Sequence, residues 1–180
     1  MTTTDGDPTG RTGRTTAPEP TGATGPTGLT GLTATELTAA YAAGELSPVA
    51  VTRAVLERSE AVQNELNAFV LLDHDGALEQ ARAAEHRWHS GTPAGPVDGV
   101  PVTVKDILLL RGHPTLRGSA AVSAGGDWAE DAPAVARLRA AGAVFTGKTT
   151  TPEFGWKGVT DSPRHGATGN PYAPERTSGG

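Results

Sequence analysis

Apolar residues recur at helical spacing through the first half of the chain and gather into short β-branched runs in the second. Thr33-Ala34-Thr35-Glu36 is a capping-box pattern and Gly44 a stop, which predicts a helix over Ala34 to Ala43. Ser47-Pro48 reads as an N-cap followed by a first-turn proline. The helix it opens carries Val51, Val55, Val62, Leu66 and Phe69 at helical spacing, with Arg58 interrupting the stripe. A third helix is predicted over Asp75 to Trp88, with a narrow apolar face of Ala77, Ala81, Ala84 and Trp88. It ends at Ser90-Gly91-Thr92-Pro93.

Two turn signals, Gly95-Pro96 and Asp98-Gly99, then precede the run Val100 to Val104, which predicts a strand. That run carries Lys105 and Asp106 and continues into Ile107-Leu108-Leu109-Leu110. Arg111 to Gly126 is rich in turn residues. Asp131-Ala132-Pro133 opens a further helix with Val135, Leu138 and Ala141 on one side. Gly142 closes it, and Ala143 to Thr146 reads as a buried strand. Helices alternating with apolar strands predict an α/β fold with a largely parallel sheet. Thr149 to Gly180 reads as long ordered loops, which in a compact domain usually carry function. Met1 to Gly28 is Thr, Gly, Pro and Asp with almost nothing apolar. It is expected to be a disordered tail, with the folded region over 29–180.

Composition narrows the function. The net charge of -5 gives no electrostatic case for nucleic acid or an anionic membrane. There is no membrane-length apolar stretch and no signal-peptide pattern at the N-terminus, so the protein is expected to be cytoplasmic. Without cysteine there is no disulfide, zinc thiolate or cysteine nucleophile. His86 and His89 stand three apart on the third helix but lack a supporting ligand, and a solvated helix face is the better account. Gly142 to Thr149 matches the P-loop pattern G-x-x-x-x-G-K-[ST]. Its order is reversed, however: a helix precedes the glycine and the supposed loop is β-forming. Lys148 there reads as the end of a strand, with a part in stability and none in the chemistry.

Lys105 is the most informative residue. A lysine in an apolar run is costly to bury as an ammonium, and desolvation favours the neutral amine that a proton acceptor needs. Val104 and Asp106 project from the opposite face of the predicted strand, so Asp106 is poorly placed to hold a proton on Lys105.

Several segments, in order, resemble the amidase signature family of serine hydrolases. They are Gly95-Pro96-x-x-Gly99-Val100-Pro101-x-x-Val104-Lys105-Asp106 and Gly112-x-Pro114-Thr115-x-x-Gly118-Ser119. They continue with Asp131-Ala132-Pro133-Ala134-Val135-x-x-Leu138-x-x-Ala141-Gly142-Ala143 and Gly147-Lys148-Thr149. The series closes with Glu153-Phe154, Gly166-x-Thr168-x-Asn170-Pro171 and Ser178-Gly179-Gly180. The resemblance is close from Gly95 onward and loose over Leu32 to Ala94. It implies the amidase-signature fold, a mixed β-sheet core covered by helices, incomplete in this chain. It also implies amide hydrolysis by a Ser–cis-Ser–Lys triad without metal or cofactor.

The family's lysine maps onto Lys105. Its bridging serine follows the double glycine that matches Gly179-Gly180, and its nucleophile lies further on. Ser178 is then a loop residue of the signature and not the nucleophile. The chain as given, lacking both serines, is expected to be inactive and incompletely folded. By the same resemblance Gly155 and Trp156 lie near the acyl pocket, Gly155 leaving room and Trp156 walling it. The leading reading is an amidase acting on a small-molecule amide, with no membrane or nucleic-acid partner and homo-oligomerisation left open. The close alternative is the glutaminase subunit of a tRNA-dependent amidotransferase, with partner subunits and ammonia channelling, the one case in which a nucleic-acid partner is expected. A third is a non-catalytic domain on the same scaffold. The segment Trp156 to Pro163 looks more like broad-specificity amidases than glutaminase subunits.

Overall fold

Helix α1, Ala34–Ala43, has the boundaries its end signals predict. The chain is described by a computed structural model over residues 28–179. The expected disordered tail lies outside the described residues, except for Gly28, which opens a short 3-10 turn, Gly28–Gly31. At the start of α1, Thr33 Oγ1 accepts from the Glu36 amide while the Glu36 carboxylate accepts from the Thr33 amide, so two orphan donors are satisfied reciprocally. Leu37 and Tyr41, one turn apart, bury against Val51 and Val100.

Helix α2, Pro48–Leu66, is capped by Ser47 and buries Val51, Thr52, Leu56 and Ser59. It stops one turn before its apolar periodicity does. Asn67 takes the left-handed conformation (φ 48°). Gln63 then reaches past the helix end: its Oε1 accepts from the amides of Ala68 and Phe69, and its Nε2 donates to the Phe69 carbonyl. Phe69 therefore opens strand β1, Phe69–Leu72, and is not the last residue of the helical stripe. A short apolar run fits either element by spacing alone, and here the cap decides.

Helix α3, His74–His89, buries Ala77, Ala81 and Ala84 fully and packs on α2, where Ala77 and Ala81 cluster with Leu56 and their small side chains permit close approach. His86 and His89 point to solvent, and among the described residues no group of three or more His, Cys, Asp or Glu is placed to hold a metal ion. Strand β2, Pro101–Lys105, helix α4, Pro133–Ala140, and strand β3, Val144–Thr149, follow.

The sheet has the order β1-β3-β2. β2 runs parallel to β3, with Val104 opposite Lys148 and Lys105 opposite Thr149, whereas β1 is antiparallel to β3. The sheet is thus mixed, as the family resemblance implies, and not largely parallel as the alternation of elements suggests. The antiparallel strand is β1, the one hidden in the helical periodicity. Side chains alternate along β3. Val144 packs with Leu56, Ala77 and Ala81 beneath α2 and α3, while Phe145 packs with Val104, Leu110 and Val135 beneath α4. Gly147 sits at φ 151° where a Cβ would collide with the Leu71 carbonyl, so β1 can approach β3 only because this position is glycine.

Beyond β3 the chain forms a 3-10 turn, Glu153–Gly155, and two antiparallel ribbons. The first pairs β4, Asp161–Ser162, with β5, Gly166–Ala167. The second pairs β6, Gly169–Asn170, with β7, Ala173–Thr177. No helix among the described residues is long and apolar enough to cross a membrane.

Candidate active site

Lys105 is the last residue of β2, partly buried, at the carboxyl end of the parallel pair β2/β3. Crevices at the carboxyl ends of parallel strands are the usual place for ligands in open α/β sheets. The chain turns immediately after it: the amides of Ile107 and Leu108 both donate to the Lys105 carbonyl, at 2.7 and 3.0 Å. The alternation expected along the run is present, with Val104 and Asp106 buried on the other face.

Asp106 is engaged by Lys148. The Lys148 Nζ lies 2.8 Å from Asp106 Oδ1, and both side chains are essentially inaccessible. The same ammonium donates to the Pro114 carbonyl (2.8 Å) and to Thr115 Oγ1 (2.5 Å). Burial pushes the Lys148 amine below its ordinary value, and Asp106 opposes that shift. Residues 144–149 form a strand, so no phosphate-cradling loop precedes Lys148, and the match to the P-loop pattern carries no nucleotide site. The third lysine, Lys157, is ion-paired with Asp161. Among the described residues, Lys105 alone of the three lysines has no acidic partner.

The predicted segments converge on this end of the sheet. The Phe154 amide donates to the Arg117 carbonyl, and the Arg117 amide donates to the Asp106 carbonyl, which ties the turn after Lys105 to the turn at 153–155. Gly155 adopts φ 69°, and a Cβ there would stand 2.6 Å from Ile107 Cδ1. The room this glycine leaves is taken by a neighbour of Lys105. Trp156 is 84% exposed and walls nothing among the described residues. Ser178 lies in an ordered segment: its amide donates to the Thr168 carbonyl and its carbonyl accepts from the Thr160 amide. Gly179 bridges to Val159 and accepts from Thr160 Oγ1 at 2.7 Å, while Gly180 lies outside the described residues. Thr168 in turn bonds Thr150 Oγ1 (2.6 Å) and the Asn67 carbonyl (2.9 Å), so the Ser178 segment is anchored just past the end of β3.

Residues 50–180 match the family profile described as amidase. The chain belongs to the amidase family. It is 44% identical over 147 residues to the A subunit of the glutamyl-tRNA(Gln) amidotransferase of Salinispora tropica, covering 81% of this chain and 29% of that protein. It is 40% identical over 147 residues to the indoleacetamide hydrolase of Bradyrhizobium diazoefficiens, covering 81% and 28%. Among solved structures it resembles a bacterial aryl acylamidase of the amidase signature family (TM-score 0.78, 28% identity, 83% of this chain and 31% of that one). It also resembles the peptide amidase of Stenotrophomonas maltophilia (TM-score 0.71, 35% identity, 79% and 30%). The amidase chain thus spans under a third of the length of these relatives.

Two features of this amidase chain escaped the sequence. One is the Asp106–Lys148 pair: each residue lies in a quoted motif, but nothing in the spacing joins them. The other is a part-buried hydrogen bond from Ser119 Oγ to Glu153 Oε1 (2.7 Å), which locks the Gly118-Ser119 turn to the turn at 153–155. Behind Asp106 lies a cavity of about 130 Å³ lined by Val70, Leu71, Pro114, Leu116 and His165. Burial holds the His165 imidazole below its ordinary value, against the pull of Asp106.

Proposed function

We propose that the full-length protein hydrolyses a carboxylic amide to acid and ammonia or amine, with Lys105 as the proton acceptor of a Ser–cis-Ser–Lys triad. Its two serines follow Gly180. The observation that carries the reading is the contrast between the lysines. Lys148 and Lys157 hold carboxylates, and Lys105 stands without one at the carboxyl end of β2, where the 150–179 segments gather. An ammonium must give up a proton before its amine can accept one from a hydroxyl, a carboxylate partner opposes that loss, and Lys105 has no such partner among the described residues. Ser178, Gly179 and Gly180 lead into the segment that bears both serines. Gly155 and Trp156 belong to the acyl side by the family resemblance, Gly155 leaving the room that Ile107 Cδ1 takes. The substrate is a small carboxamide, turned over in the cytoplasm.

A glutaminase subunit is the second reading, favoured by 44% identity to the amidotransferase relative, compared with 40% to the indoleacetamide hydrolase. It would work with partner subunits and an RNA-bound acceptor. Turnover of glutamine measured beside aliphatic and aromatic amides separates the two. In the full-length protein, Lys105→Ala is expected to lower amide turnover by about 10²–10⁴, the usual cost of a lost general base. Turnover close to the parent's at neutral pH would remove Lys105 from the mechanism.

A further inference from the structure

We propose that the buried Asp106–Lys148 pair is a positioning device for the Lys105 amine, an inference that rests on Lys105 as the proton acceptor. Asp106 is the residue next to Lys105, and it is fixed from two sides. From the sheet, its amide donates to the Thr149 carbonyl at 2.9 Å and its carboxylate takes Lys148. From the loop, its carbonyl accepts from the Arg117 amide and its Oδ1 from the Leu116 amide. Lys148 completes the clamp by donating to Pro114 and Thr115 of the same loop. The backbone of Lys105 is thereby held between the β2/β3 ladder and the turn that follows it.

The energetics argue that packing alone is not the purpose. A buried ion pair is often no more stable than a well-packed apolar pair of the same volume, because both ions are stripped of water. What the ions add is direction: three hydrogen bonds from one ammonium define a geometry that methyl groups leave loose. Orientation here rests chiefly on Lys148, at 2.8 Å, with the longer bond from the Leu116 amide, at 3.4 Å, beside it. Asp106 Oδ2 is buried with no hydrogen-bond partner among the described residues, so the carboxylate is oriented through Oδ1 alone. Asp106 and Lys148 touch no substrate and act through Lys105, which gives Lys148 an indirect part in turnover beyond the purely stabilising one expected from its place at a strand end.

The test is steady-state kinetics on a small carboxamide with full-length Lys148→Met, Lys105→Ala and the double variant, with folding checked by near-UV circular dichroism. Lys148→Met is expected to lower kcat about 10–100-fold, the range for a misplacement of about an ångström remote from the reacting atoms. KM should stay within about threefold, as for an interaction that matters only in the transition state. In the Lys105→Ala background the same substitution should cost nothing further, which a merely structural role would not produce. A folded Lys148→Met enzyme with the parent's kcat overturns the proposal, and so does an equal loss in both backgrounds. If Lys148→Met does not fold, Thr115→Val keeps the shape and removes one acceptor. A smaller fall in kcat supports the clamp, and an unchanged kcat overturns it. Near-normal turnover in Lys105→Ala itself would overturn the base assignment, and this inference with it, and is distinguishable from failure at Lys148 alone.

Discussion

Asp131 shows how much one side chain can do just before a helix. Its Oδ1 accepts from the Arg111 amide, and Arg139, near the far end of α4, donates to both oxygens at 2.6 and 3.0 Å. The Arg139 guanidinium also lies 4.6 Å over the Phe145 ring. The hydrogen bond from Arg139, followed by that from Arg111, holds the Asp131 carboxyl below the usual carboxylate range. A folded value below the unfolded one means stability is present above about pH 3.9 and is lost as pH falls through the folded value. Asp131→Asn should therefore lower Tm at pH 7, and the difference from the parent should shrink on acidification below about pH 4. A difference that does not change with pH would show that the pair contributes no linked proton. Residues of this kind are half legible in sequence. Lys105 stood out because it interrupts an apolar run. Asp106 and Lys148 did not, because a buried ion pair between a strand and the turn that ends its neighbour leaves no local trace in either.

At the scale of elements, end signals outperformed periodicity. Thr33, Glu36, Gly44, Ser47 and Pro48 delimit α1 and the start of α2 through hydrogen bonds that are local in the chain, so they could be read there. The end of α2 depends on Gln63 reaching forward to Phe69, and the strand identity of Phe69–Leu72 depends on pairing with β3, far away in sequence. No local pattern encodes either. Gly147 tests that pairing. Gly147→Ala would drive a methyl group into the Leu71 carbonyl in a conformation side chains rarely adopt. It should destabilise the fold by about 1–3 kcal/mol or more, seen as a lower urea midpoint. An unchanged midpoint would mean that β1 does not lie on β3 as described.

For the whole molecule, the mixed sheet and its helical cover followed from the family resemblance, whereas pattern alone predicted too much parallel pairing. The 150–179 region was legible as ordered, but its ribbons were not, because two-residue strands carry no periodicity. That region is stitched to the C-terminal end of α2 by Asn67. Its side-chain amide donates to the carbonyls of His165 and Ala167, and its own carbonyl accepts from Thr168. These bonds join residues 98, 100 and 101 positions apart. Closing so long a loop costs entropy before any contact repays it. β1 and α2 meet β3 across almost as long a separation. What sets the 160–179 segment apart is its short ribbons with few buried apolar side chains, so α2, α3 and β3 should consolidate first and that segment settle onto them last. The last layer to settle is also the first to lift. Native-state hydrogen exchange should find the Thr168 and Ser178 amides opening in a sub-global event that leaves Val144–Thr149 protected. Identical opening free energies in both regions would show instead that the segment carrying Ser178 rises and falls with the sheet as one cooperative unit.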